Sequence, residues 1–417
     1  MTDDRYDVIV VGARVAGSAT AMLLARRGLR VLVVDRATFP SDTLSTHQVQ
    51  LPGVARLRRW ELLEAVEAAG TPATRHVRFD AQAGVLDGHF PAFDGGDALY
   101  SPRRTLLDGL LVDAAREAGA DVREGFTVDE ITFDGERVTG IRGRSGNGPA
   151  VAETARLVVG ADGKHSIVAK AVRAPVVREV APLTVSSYTY WSGLPVEGGE
   201  IFGRERRNVG LWPTNDGLTM SFVQWPIAEF DTFRTDIEGN VVRTLEQLGL
   251  GDRIHAAERA ERIRTTPDVP NVVRVPHGAG WALVGDAGLV MDPVSGQGIA
   301  DAFRDAELLA DAVASGFAPG GSPNDALAGY RRARDEAVLP MWDFTVQLAS
   351  FGPAKIEERV LFDALAQSQV ETDRFLGVLT GAVSLREYMK PANLRKIVGM
   401  RGFAKIALGK ARASRAA

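Results

Sequence analysis

Gly12-Ala13-Arg14-Val15-Ala16-Gly17 combines two glycines and small side chains in the way a pyrophosphate-binding turn requires. Gly12 lets the chain leave a strand sharply, and Gly17 lets the next helix pack closely. The helix N-terminus then offers unpaired N–H groups to an anion. Asp35, at the end of the following apolar run, sits where a carboxylate accepts hydrogen bonds from ribose hydroxyls, with Arg36 beside it. The middle glycine of the usual G-x-G-x-x-G is Arg14 here, a side chain that can turn away or pair with a phosphate. The same residues also suit a glycine turn with no ligand, and the strand–turn–helix–strand–acid context favours dinucleotide binding.

Two further stretches carry chemistry. In WALVGDAGLVMDPVSGQGIADA an apolar run leads to Gly285-Asp286, which puts a carboxylate at a strand end, where open α/β sheets bind ligands. Downstream, Asp292-Pro293 makes a turn, and Gly296-Gln297-Gly298 opens a helix whose positive end can face an electron-rich ligand. An N-capped helix after a glycine loop explains each piece but not their combination. The third stretch, Gly160-Ala161-Asp162-Gly163-Lys164-His165-Ser166, follows another apolar run.

These loops need a scaffold, and the apolar pattern supplies one. Tyr6 to Val11 predicts a buried strand, the Ala/Leu-rich run after it a helix stopped at Gly28, and 30–34 a second strand. A helix is predicted over 104–118, then a strand near 121–125, a hairpin at Asp134-Gly135 and a strand within 155–163. Between about 176 and 275 aromatic and β-branched residues alternate with polar ones, which predicts an antiparallel sheet. A strand at 281–285 and a helix over 298–315 follow, and the remainder is mainly helical. The fold class is α/β with an α+β insert. A discontinuous Rossmann-like domain (1–175 and 276–325) includes part of the substrate-side strands near 75–100. An antiparallel substrate domain (176–275) and a helical C-terminal region (326–417) complete the chain.

Composition narrows the classes. The 417 residues are 45% hydrophobic and 24% charged, an ordinary globular balance, and a net charge of -4 gives no electrostatic case for nucleic acid. The absence of cysteine excludes disulfides, thiolate metal sites, cysteine nucleophiles and cysteine-linked cofactors. The six histidines show no close pairing, so no metal is expected. No stretch reaches the ~18 uninterrupted apolar residues of a membrane helix. The acidic start enters a strand at once, unlike a signal peptide, so a cytoplasmic enzyme is expected.

In their order and spacing the three motifs resemble the group A flavin monooxygenase family, with the para-hydroxybenzoate hydroxylase-like fold, and its relatives the geranylgeranyl reductases. The likeness spans nearly the whole chain and implies FAD as cofactor and NAD(P)H as co-substrate. By that resemblance Asp286 hydrogen-bonds the ribityl chain. Pro293 and Gly296 to Gly298 lie beside the isoalloxazine, where N–H groups and the helix dipole stabilise negative charge at its N1/O2 edge. Asp162 and Gly163 support FAD and the approach of the nicotinamide, although Lys170 stands where the family often has Arg. Arg104, in an Arg-x-x-Leu-Asp element, contacts the flavin phosphates or ribityl chain, with Arg103 as the neighbouring substitute. Such enzymes need no protein nucleophile. Reduced flavin reacts with O2 to a C4a-hydroperoxide, while the protein positions, stabilises charge and excludes water.

Near the chemistry, His47 follows the polar turn at 41–46 on a connection that passes the flavin in the resembling fold. It can orient substrate, tune the flavin or donate a proton near physiological pH, or else serve only as a loop residue. Tyr188, Tyr190, Trp191, Trp212, Phe222 and Trp225 lie in the antiparallel segment that roofs the substrate in that family, and suit a flat aromatic molecule as well as an ordinary sheet core. His165 reads as exposed and structural. The basic end, 390–417, reads as a solvated helix or frayed terminus, with a membrane surface as the alternative.

The expectation is an NAD(P)H- and O2-dependent monooxygenase hydroxylating or epoxidising an aromatic or polyketide-like small molecule. Alternatives are a flavin reductase of a prenyl or other C=C bond and a flavin-binding module without turnover. YTYWSGLP matches the reductases' Tyr-x-Trp-x-Phe-Pro element only loosely, and the Trp-x-Trp-x-Ile-Pro pattern of flavin halogenases is missing.

Overall fold

A computed structural model describes residues 5–416; the acidic start at 1–4 and Ala417 lie outside it, as do the side chains of Ala407 and of 409–416 in the basic end. The central sheet runs in the order His277–Gly278, Trp281–Leu283, Val151–Gly160, Tyr6–Val11, Val31–Val34, Asp121–Arg123. From Trp281–Leu283 onward the neighbours are parallel. Both faces of a parallel sheet are covered, which is why Val8 to Val10 and Val31 to Val34 are continuously apolar and buried.

Parallel pairing also decides where the motifs meet. Val11 pairs with Val34 and with Gly160, and Gly160 pairs with Leu283, so all four strands end at one edge. The loops that follow them carry Gly12, Asp35, Asp162 and Asp286. Three motifs distant in sequence therefore share one edge because their strands share one direction.

The Val15–Ala25 helix is buried from Ala16 through Leu24, between the Arg104–Glu117 and Gly298–Phe317 helices. Its apolar character runs all the way round, as expected of an element with no solvent face. Two helices follow residue 50, Leu51–Arg59 and Leu63–Ala68, split where Glu61 takes a positive φ.

The second sheet has the order Glu258–Arg259, Thr184–Ser192, Thr219–Pro226, Arg207–Pro213, Gly199–Arg204, His76–Ala81, Gly84–His89, with Arg264–Thr266 also on Thr184–Ser192. Of the strands near 75–100, Leu99–Tyr100 pairs with Ala73–Thr74 in a separate two-stranded sheet, whereas His76–Ala81 and Gly84–His89 belong to the second sheet. Period-two alternation divides its side chains. Tyr188, Tyr190, Trp212, Met220 and Phe222 pack on the side facing the nucleotide-binding domain, together with Leu51 and Leu99. Val185, Trp191, Val223 and Trp225 pack on the other side, under the helices between 230 and 255.

The domain boundary expected at 325/326 falls inside one helix, Pro323–Ala349. Ser322 caps its start by accepting from Asp325 N, and Pro323 occupies the first turn, where its missing N–H costs nothing. Tyr330 on this helix donates to the Leu283 carbonyl at 2.7 Å, tying it to the central sheet. Further on, Phe362, Leu365 and Phe375 pack over Leu86 of the second sheet, and Leu376 reaches its site-facing side. No helix among the described residues is long and apolar enough to cross a membrane.

Candidate active site

At the end of the first strand there is no room for a side chain. Gly12 has φ +103°, and a Cβ there would lie 2.5 Å from the Ala161 carbonyl oxygen. A Cβ on Gly17 would lie 1.8 Å from the Gly12 oxygen, so turn and helix are in backbone contact. Ala13 and Ala16 are buried beside them. Asp35 accepts from Ala13 N at 2.7 Å and from Ala37 N at 2.8 Å, which fixes the turn against the second strand and leaves lone pairs on both oxygens. Arg36 is exposed and turned out.

Arg14 points away from the turn. It donates to Asp108 at 2.7 Å, to the Ser41 carbonyl at 3.2 Å and to Ser41 Oγ at 3.0 Å. Arg104 donates to the same carboxylate through Nε at 3.0 Å and Nη2 at 3.1 Å. Asp108 is fully buried and holds two guanidiniums, so this corner keeps a net positive charge for an anionic ligand. Asp108 was not among the sequence candidates. Its signal was the four-residue spacing from Arg104, which places both on one helix face.

Asp286 keeps an accessible face although protein surrounds its carboxyl group, so it lines a recess. Burial raises its pKa, opposed by the nearby charges of Arg104 and Lys164. Gly285, at φ +54°, brings this loop against the first helix, since a Cβ there would lie 2.8 Å from Ala16 Cβ. Pro293 opens a short turn capped by Asp292. Asp292 also accepts from Thr184 Oγ1 at 2.7 Å and Gln224 Nε2 at 2.9 Å, fastening the loop to the second sheet. Burial raises the Asp292 pKa. Gly296, at φ +64°, leaves room for Gln48, whose Oε1 would lie 2.2 Å from a Cβ there. The Gln297 side chain points away, donating to the Leu379 carbonyl at 2.8 Å. Gly298 opens on free space, with no atom within 4 Å of a Cβ position.

Asp162 serves its own loop. It accepts from Ser166 Oγ at 2.6 Å and Ile167 N at 2.6 Å, and burial raises its pKa despite those bonds. Gly163, at φ +80°, faces open space beside it. His165 is exposed and pairs with Asp268. Arg103 pairs with Glu261 and lies over the Tyr190 ring, 4.4 Å from its centroid.

His47 is fully buried at φ +65°. Its Nδ1 lies 2.8 Å from the Ser45 carbonyl, which only accepts, so Nδ1 carries the proton. Nε2 is then the acceptor, and Tyr190 Oη donates to it at 2.5 Å. Tyr188 and Tyr190 meet the ring edge-on. Burial pushes the His47 pKa down to about 4, so it is neutral near pH 7 and is no proton donor there; positioning is the role its geometry supports. Of the aromatic candidates, Tyr188, Tyr190, Trp212 and Phe222 share the site-facing side. Trp225 does not. With Trp191 it lies on the back of the sheet, where its Nε1 donates to Thr244 and Arg207 stacks on it.

The residues present fit FAD. The Val15–Ala25 and Gly298–Phe317 helices start without a side-chain cap, whereas Ser166 and Ser322 cap theirs, so free N–H groups remain where a diphosphate and an electron-rich ring edge would lie. The charge of Arg104 lies close enough to Asp286 to act on its carboxyl group.

Comparison with known proteins agrees. The family model described as "FAD binding domain" matches residues 5–345. The chain is 33% identical to the probable electron transfer flavoprotein-quinone oxidoreductase YdiS of Escherichia coli over 41% of its own length and 40% of that protein's. It is 26% identical to tryptophan 2-halogenase of Chondromyces crocatus, covering 93% of this chain and 78% of the relative. It is 29% identical to the phenazine 1,6-dicarboxylic acid hydroxylase PhzS of Lysobacter antibioticus, covering 74% and 83%. A geranylgeranyl bacteriochlorophyll reductase-like protein from Thermoplasma acidophilum shares the fold, with TM-score 0.76 at 19% identity over 94% of this chain and 98% of that one. A halogenase thus stands among the relatives although the tryptophan pattern expected of halogenases is missing. The chain belongs to the FAD binding domain family and is an FAD-dependent oxidoreductase.

Proposed function

We propose that this oxidoreductase is an NAD(P)H- and O2-dependent monooxygenase of a flat aromatic or polyketide-like molecule. The supporting observation is the aromatic cluster of Tyr188, Tyr190, Trp212 and Phe222, buried together on the side of the second sheet that faces the nucleotide-binding domain. The Tyr190–His47 pair adds polarity, since burial favours the neutral histidine and raises the tyrosine pKa, and Arg103 lies over the Tyr190 ring. Such a wall suits a planar, largely apolar substrate and excludes water.

Gly12 to Gly17 and Asp35 would hold the adenosine diphosphate, Arg104 and Asp286 the ribityl region, and Pro293 to Gly298 the flavin edge. Bound FAD supplies two-electron chemistry, accepting hydride from a nicotinamide and passing electrons to O2. The start of the Gly298–Phe317 helix would stabilise the negative charge that accompanies reduction. A cleft of about 470 Å³ beside Asp162 and Gly163 is lined by Lys164, His165, Lys170, Arg173 and Arg274, charges that suit the phosphates of a dinucleotide co-substrate.

Turnover of planar phenols with NADPH under 18O2 separates this function from double-bond reduction. Labelled oxygen in the product supports the monooxygenase. A saturated, unlabelled product that also forms without O2 supports the reductase and refutes the proposal.

A further inference from the structure

We propose that the C-terminal helix, Pro391–Ala416, docks on an anionic lipid surface. Its charge is unlike that of the rest of the chain. No Asp or Glu follows Glu387, whereas Arg395, Lys396, Arg401 and Lys405 are followed in sequence by Lys410, Arg412 and Arg415, in a protein whose net charge is -4. The helix breaks at Gly399, where φ is +64°, and beyond the break large apolar side chains face outward. Met400, Phe403 and Leu408 are 65%, 46% and 63% exposed. Their spacing, with Ala404, places them along one face of a helix. The inward side is marked by Gly402, which is buried and would meet Val360 at 3.0 Å if it carried a Cβ.

A helix that only had to be soluble would turn its apolar stripe toward Val360 and its charges outward. Here the stripe faces out, and the exposed Arg401 and Lys405 stand on its flank. That is the arrangement of a helix lying in a bilayer interface, with apolar side chains in the acyl boundary and cations among the headgroups. The same charge opposes covering the face with a second copy of this chain, which would bring like charges together.

The test is flotation of the FAD-loaded full chain with phosphatidylcholine vesicles, with and without phosphatidylglycerol. The protein should float with the anionic vesicles only, and binding should fall as salt is raised. The triple variant M400S/F403S/L408S should partition at least about tenfold more weakly, with flavin absorbance and Tm unchanged. R401E/K405E, which leaves the apolar stripe intact, should lose the preference for anionic lipid. Failure of the full chain to float with anionic vesicles at low salt would overturn the proposal. So would concentration-dependent self-association that the triple variant abolishes, because a second copy would then cover the stripe.

Discussion

Two glycine-led helix starts use glycine for opposite reasons. At Gly12 and Gly17 the missing side chains let backbone meet backbone, at distances where a Cβ would overlap carbonyl oxygens. At Gly298 nothing stands within 4 Å of the Cβ position, and the missing side chain leaves a hollow. The first loop is filled by protein; the second borders open space. Both expose a helix N-terminus, but one serves as a rigid anvil and the other as an open seat.

Gly12→Ala should break the packed loop most severely. Strain at φ +103° and overlap with Ala161 should cost about 3–5 kcal/mol, measured by urea unfolding of the apoprotein. A loss below about 1 kcal/mol would mean the loop is not packed as described.

The loop after the Val31–Val34 strand carries His47, and its burial makes a pH prediction. The folded pKa, about 4, lies below the ordinary 6.5, so on acidification the unfolded chain takes up the proton first. The His47 contribution is therefore intact above pH 6.5 and falls by up to about 3 kcal/mol as pH approaches 4. Unfolding curves across that window should flatten in His47→Gln, and equal slopes in both proteins would contradict a buried, neutral imidazole.

Asp108→Asn should cost about 2 kcal/mol, since Arg14 and Arg104 lose their shared charge partner. It should also loosen the corner that Arg104 shares with Asp286, seen as weaker FAD binding by fluorescence quenching. Gly298→Ala should have the smallest effect on stability, within about 1 kcal/mol, because a helix start tolerates alanine. It should still weaken FAD binding, because the new methyl group enters the hollow. Unchanged FAD affinity would remove the distinction between the two loops.

Much of this contrast was legible in the sequence. The apolar runs before Gly12, Gly160 and Gly285 marked buried strands, and their shared edge follows from the parallel pairing of the fold. Trp225 was misplaced although the signal was present: it lies three residues from Phe222 in one strand, so the two face opposite sides. The boundary set at 325/326 overlooked Ser322-Pro323, an N-cap followed by an N1 proline that starts a helix. Other features were not readable. Arg14 finds Asp108 across 94 positions, and the His47 pKa falls because the ring is buried, with Tyr188 and Tyr190 edge-on to it from another domain. Contacts of that range follow from the assembled fold.

The most direct test of the whole account is the visible spectrum of the purified protein through one redox cycle. It should show bound-flavin bands near ~450 nm that bleach on anaerobic addition of NADPH or NADH and return when air is admitted. Flavin that is retained but reduced by neither nicotinamide would contradict the proposed co-substrate. A protein that cannot be reconstituted with FAD would contradict the cradle itself.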